Sequence, residues 1–134
     1  SGLARFRGVR IMPVRTSLAG LVDTTYKTTL PSALKARLTR RDDDHKPVFP
    51  GGSPVLTLDP EITFYSEPGG LGGLFGSDTY AVVLFWLKAD AADIGRIQVV
   101  SKSGASRTGP DDLAQATAKG LARYFRKHRR QRQN

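Results

Sequence analysis

The sequence predicts an α/β (α+β) two-layer sandwich, with a mixed, mostly antiparallel sheet of about four strands and two helices on one face. Three observations carry that expectation. TYAVVLFWLKAD is apolar on both of its alternating sides, as a strand in the middle of a sheet must be. Leu18, Val22, Tyr26, Leu30, Leu34 and Leu38 recur at every fourth position, and a second helical stripe closes the chain. The element order β-α-β-β-β-α contains one crossover and one meander, and a right-handed crossover puts the first helix where the closing helix can pack beside it.

Taken in order, RFRGVRIMPV alternates with Val9 and Ile11 on one side and Arg10, Met12 and Val14 on the other, and Pro13 marks the strand's end. The helix that follows takes Ser17 as its N-cap, and Pro31 is expected to kink or break it near residues 28–30. RRDDDHKPVFPGGSP reads as a long exposed loop. VLTLDPEITFYSE has strand chemistry, with a bend or bulge expected at Asp59-Pro60. AADIG turns the Trp86 strand into RIQVVSKS, a hairpin in which Ile97 and Val99 oppose Arg96 and Gln98. The last helix opens on Pro110, Asp111 and Asp112, where proline fits the first turn and carboxylates meet the positive end of the dipole. Leu113, Ala116, Thr117, Gly120, Leu121, Tyr124, Phe125 and His128 form its buried stripe, before a basic flexible tail over residues 129–134.

The 134 residues make one domain, long enough to bury a core without disulfides. Ser1-Gly2 looks like a remnant of tag removal, and residues 1–4 are expected to be a flexible start that follows a trimmed natural N-terminus. No cysteine is present, which removes disulfides, zinc-thiolate sites and thiol nucleophiles. The net charge of +9 is unevenly spread: residues 1–41 carry +8, residues 42–118 carry −6 and residues 119–134 carry +7. Basic ends around an acidic middle point to contact with something anionic, a membrane surface before a nucleic acid.

Five glycines within residues 69–76 raise the question of a phosphate cradle. The answer is negative, because Gly70 and Gly72 find Phe75 where the third glycine of a dinucleotide fingerprint belongs, no P-loop lysine follows, and the loop leads into a strand instead of a helix. Leu71, Leu74 and Phe75 are apolar in a segment otherwise suited to solvent, which makes them candidates for burial in a protein partner. Asp42, Asp43, Asp44 and His45 lack the spacing of metal ligands and read as a solvated charge run. Asp90 and Asp93 suit a turn, and His45 and His128 are too far apart in sequence to suggest a catalytic constellation. No catalytic residue, metal or cofactor is expected. Arg123, Arg126, Lys127, Arg129, Arg130 and Arg132 are the candidate contacts to an anionic surface.

VRIMPV, the Leu-spaced helix, the Gly-rich stretch before AVVLFWLKAD, the turn in ADIGRIQVVSKSG and the closing DDLAQATAKGLARYFRKH together resemble the uncharacterised small lipoproteins of the bacterial envelope. The resemblance covers nearly the whole chain, and residues 90–95 match that family's Asp-x-x-Gly turn in slightly lengthened form. It implies a β-α-β-β-β-α domain on the periplasmic side of the cell envelope, tethered through an N-terminal lipid-modified cysteine. It also implies an accessory or assembly part that binds a protein partner and is not an enzyme. The rival is a nucleic-acid-binding module, since the chain without its first strand has the α-β-β-β-α order of a double-stranded RNA-binding domain. That family meets phosphates with lysines at the start of its last helix, where Asp111 and Asp112 stand here and repel them.

These readings generate one prediction for the Gly-rich segment. Leu74→Asp combined with Phe75→Asp should weaken partner capture in a pull-down while leaving the melting temperature unchanged. An equal loss of stability would place both side chains in the core.

Overall fold

The computed structural model describes residues 2–18, 20–41, 45–67, 79–103 and 109–132, the side chains of 129–132 excepted. Its sheet is organised around β3 (Val55–Ser66), which takes parallel partners on one side and an antiparallel partner on the other. β1 (Gly8–Ile11) pairs with the first part of β3, from Gly8 opposite Val55 to Ile11 opposite Leu58. β2 (Arg15–Thr16) pairs with Glu61 and Ile62 further along the same edge. β4 (Thr79–Ala89) and β5 (Ala92–Ser103) complete an antiparallel hairpin, giving the order β1-β3-β4-β5 with β2 beside β3. The sandwich is the one expected, with a fifth strand because the single N-terminal strand divides at Pro13.

The division matches a second proline. Met12 N donates to Leu58 O at 2.9 Å, so the backbone groups of Leu58, and by alternation those of Pro60 and Ile62, face the β1 and β2 side. The amide that Pro60 lacks therefore falls in the gap between the two short strands, where no ladder bond is lost. Asp59-Pro60 does not bend β3; both residues sit in register with Trp86 and Phe85, and the irregularity comes between Ile62 and Phe64 instead.

α1 (Thr24–Thr39) begins later than the leucine spacing implies. Its N-cap is Asp23, not Ser17: the carboxylate accepts from Thr25 N at 2.7 Å and Tyr26 N at 3.3 Å. Gly20, at φ 86°, takes the left-handed conformation in the segment before it, so Leu18 and Val22 precede the helix. The expected break at Pro31 is absent, since Tyr26 and Leu30 before it and Leu34 and Leu38 after it are anchored in one buried row. The loop after α1 is not wholly exposed either. Val48 and Phe49 enter the core, with Phe49 N bonded to Leu38 O at 2.9 Å and its ring set edge-on to Phe125 at 5.2 Å. At the chain start, expected to be flexible, Gly2–Arg5 form a 3-10 turn that buries Leu3.

α2 (Pro110–Arg132) continues beyond His128 and packs against α1 and the sheet. Its buried face includes Ala114, Ala118 and Ala122 besides Leu113, Thr117, Leu121 and Phe125, a stripe widened by contact on two sides. In the seam between the helices, the hydroxyls of Tyr26 and Thr117 share a hydrogen bond of 2.8 Å, and Thr117 Oγ1 also donates to the Leu113 carbonyl. On β3, β4 and β5 the residues turned toward the helices are buried: Leu56, Leu58, Ile62, Ala81, Val83, Phe85, Ile97 and Val99.

Two predictions follow from this packing. Asp90 and Ala91, at φ 51° and 69°, form the two-residue turn of the β4-β5 hairpin in a conformation that favours glycine at the second position. Ala91→Gly should raise unfolding stability by up to about 1 kcal/mol, the relief of left-handed strain less the added freedom of the unfolded chain. Burial pushes the Tyr26 phenol up to about 12. The unfolded chain loses that proton near pH 10 and the folded chain does not, so stability is intact below about pH 10 and falls through pH 12, by on the order of 3 kcal/mol. Tyr26→Phe should cost about 1 kcal/mol at pH 8 yet lose less than the parent between pH 8 and 11, read from urea midpoints.

Candidate functional site

Both helices lie on one side of the sheet, so among the described residues no helix covers the outward side of the strands. The bulge in β3 decides what they are. Counting inward and outward from buried Ile62, a regular strand would turn Phe64 in and Tyr65 out; the shift after Ile62 reverses this. Phe64 therefore stands on the open face opposite Val82, which stands opposite Val100 on β5. Phe64 is 37% exposed and Val100 65%, forming an apolar row across three strands that ends at β5, the edge strand among the described residues. Leu84 lies beside it on β4, between Glu61 and Gln98.

At its β3 end the row runs into an open groove of about 690 Å³ between β3 and the segment preceding α1. Leu18, Leu21, Val22, Phe64 and Tyr65 provide its apolar wall, and Leu21 is 72% exposed. Asp23 and Glu67 supply its acidic rim, the first already engaged as the α1 cap and the second accepting from Tyr65 Oη at 3.1 Å. Tyr65 also packs on Tyr26 at 5.5 Å, and burial, reinforced by Glu67, raises its phenol above the ordinary range.

The far end of the open face is polar and held in place by ion pairs. Arg15 meets Asp59 at 3.0 and 3.2 Å and approaches Glu61 at 4.0 Å, while Lys88 reaches Asp59 at 3.5 Å. The bond to Asp59 raises the Arg15 guanidinium above its usual value. Trp86 Nε1 donates to Glu61 at 3.2 Å, and the Arg96 guanidinium sits 5.8 Å from the Trp86 ring centroid. Among the described residues no three His, Asp or Glu side chains gather as a metal site. What the face offers is apolar area framed by fixed charges.

Leu71, Leu74 and Phe75 lie outside the described residues, as do Asp42, Asp43 and Asp44. Arg123 and Lys127 are exposed on α2 and Arg126 is half-buried; Arg129, Arg130 and Arg132 belong to its final turns, with side chains outside the described set. His128 stacks on Tyr124 at 4.0 Å. The row itself escaped the sequence reading. Val100 was legible, being apolar on the side of β5 that Arg96 and Gln98 mark as outward, whereas Phe64 required knowledge of the bulge.

No family model and no curated protein matches the chain. Solved structures do. Two crystal forms of the PelC dodecamer from Paraburkholderia phytofirmans align with TM-scores of 0.50 at 14% and 16% identity. They cover 88% of this chain and 87% and 88% of theirs. A candidate lipoprotein from Caulobacter crescentus CB15 also aligns with a TM-score of 0.50, at 12% identity over 96% of this chain and 92% of that one. At such identities the likeness is one of fold.

Proposed function

We propose that this chain is a non-enzymatic accessory or assembly domain of the bacterial cell envelope, on the periplasmic side, that docks a protein partner on the sheet face turned away from its helices. The observation that carries the reading is the Phe64-Val82-Val100 row, which joins the Leu21 groove to β5, the edge strand among the described residues. Exposed apolar area that continues from a groove to an edge is the usual mark of an interaction surface. A strand edge adds unpaired backbone groups that another strand can meet. The fold neighbours lend support: one is a dodecamer and another a candidate lipoprotein. A second copy of the chain is accordingly the first partner to test, and anchoring through a lipid-modified cysteine belongs to the same proposal.

Sedimentation of the parent and of Phe64→Glu and Val100→Glu tests it. Each variant should weaken association at least tenfold, because a carboxylate buried in an apolar contact loses its hydration. Both positions are exposed in the free chain, so stability should stay within about 0.5 kcal/mol. Trp86, the single tryptophan, lies on the same face and should shift its emission when the face is covered. Association that is indifferent to both substitutions would sink the proposal.

A further inference from the structure

β5 is the edge strand among the described residues, and it carries no proline along its length. The bond from Met12 to Leu58 turns the backbone groups of Asp59 toward β4, and so those of Trp86 toward β3. Thr63 Oγ1 donates to the Val82 carbonyl at 3.3 Å, which gives Val82 the same direction. By alternation Ala81, Val83 and Phe85 bond Ser101, Val99 and Ile97. The N–H and C=O groups of Arg96, Gln98, Val100 and Lys102 are therefore the ones at the edge, with no strand beside them among the described residues. Such an edge is a template for a further strand.

The side chains along the edge match their own sequence run in reverse. About a two-fold axis at Gln98, antiparallel β5 strands set Gln98 opposite Gln98, Arg96 opposite Val100 and Gly95 opposite Ser101, each residue on the same face as its counterpart. Ile94 is the extra residue where the β4-β5 register shifts, so Asp93 comes next and falls opposite Lys102, as it falls opposite Lys88 within the chain. Asp93 and Lys102 are both exposed, and neither has an ion pair or hydrogen bond with another described residue. Two ion pairs thus close, one at each end of the paired strands. The helical layer repeats the match. α2 runs antiparallel to β5, with Ala116 lining one cavity beside Lys102 and Ser103, Gly120 over Val99, and Tyr124 lining another beside Gly95 and Arg96. The same axis lays α2 against its copy with Gly120 near the crossing, where no side chain holds the helices apart, and carries the Asp111-Asp112 end toward Arg123 and Lys127.

We infer that β5 pairs with β5 of a second copy, antiparallel about Gln98, so that the sheet continues through a symmetric dimer. About six backbone hydrogen bonds join the strands, two for each pair of edge-facing residues. This names the partner at the β5 end of the proposed docking face, and to that extent rests on that reading. The apolar row then runs on from Val100 to Arg96 of the second copy and the Trp86 ring it stacks on.

The chain has no cysteine, so a single one reports the register. Gln98→Cys should give a disulfide-linked dimer on mild oxidation, its Cα atoms being about 5.5 Å apart across the axis. Val100→Cys should not, at about 14 Å. Sedimentation equilibrium at physiological salt, which screens the net charge of +9 on each copy, should show a dimer. Asp93→Lys and Lys102→Asp should each weaken it about tenfold, since each acts twice per dimer, and the two combined should restore it. Gln98→Pro removes only an edge-facing donor, and should dissociate the dimer with circular dichroism unchanged. The disulfide reports the edge alone. Phe64→Glu in the Gln98→Cys chain should lower face-dependent association and leave the cross-link, so docking at the face can fail while the edge pairing stands. Four results would overturn the pairing: a parent monomeric even at millimolar concentration, cross-linking through Val100→Cys in place of Gln98→Cys, no rescue by the combined charge exchange, or loss of the cross-link with Phe64→Glu. The first of these would still leave the face open to a different protein.

Discussion

The hydroxyls of Tyr26 and Thr117 meet at 2.8 Å inside the seam of α1 and α2, and both residues are fully buried. The Tyr26 hydroxyl could not remain there alone, because an unmatched hydroxyl in that seam forfeits its hydration, whereas Thr117 also donates to the Leu113 carbonyl. The bond therefore holds the two helices in one lateral relation on the sheet, and the aromatic contacts extend it: Tyr65 packs on Tyr26 from β3, while Phe49 meets Phe125 from the loop after α1. Gly120 shows how little slack remains, for a Cβ there would come within 3.1 Å of Val99. A helical layer fixed in this way closes one face of the sheet and leaves the other without helical cover among the described residues.

What the open face then presents is set by irregularities in β3. Pro60 is tolerated because β1 and β2 are separate strands, and the bulge after Ile62 turns Phe64 outward and Tyr65 inward. The two effects are linked through packing. Tyr65 must face inward to reach Tyr26, and its inward turn is what places Phe64 on the surface beside Val82. An apolar row on the open face is in this sense the outward counterpart of the clasp that holds the helices.

The fold was legible where periodicity alone decides structure. TYAVVLFWLKAD is the interior strand its two apolar sides require, and Pro110, Asp111 and Asp112 do start α2. Legibility failed where a single residue changes the phase of a pattern. Gly20 at positive φ cut Leu18 and Val22 from the α1 stripe and moved the cap to Asp23. Val48 and Phe49 sat in a stretch so rich in charge and turn residues that its two core side chains did not register as such. The bulge has no signature in VLTLDPEITFYSE, and the proline that draws the eye is four positions before Phe64. The candidate surface named from the sequence, Leu71, Leu74 and Phe75, lies outside the described residues, and the exposed row lies on β3, β4 and β5.

The division of charge along the chain acquires a spatial meaning from the same packing. The basic first segment contributes Lys35, Arg37 and Arg40 near the end of α1, and the basic last segment contributes Lys119, Arg123 and Lys127 to α2. Because the helices lie side by side, these cations share the helical layer, whereas Asp59 and Glu61 of the acidic middle lie on the opposite face. The open face therefore carries its charge in pairs, with Arg15 and Lys88 set against Asp59 and Glu61. An anionic surface or ligand would be drawn to the helical side, which would turn the apolar row away from it and toward whatever protein approaches from the other direction.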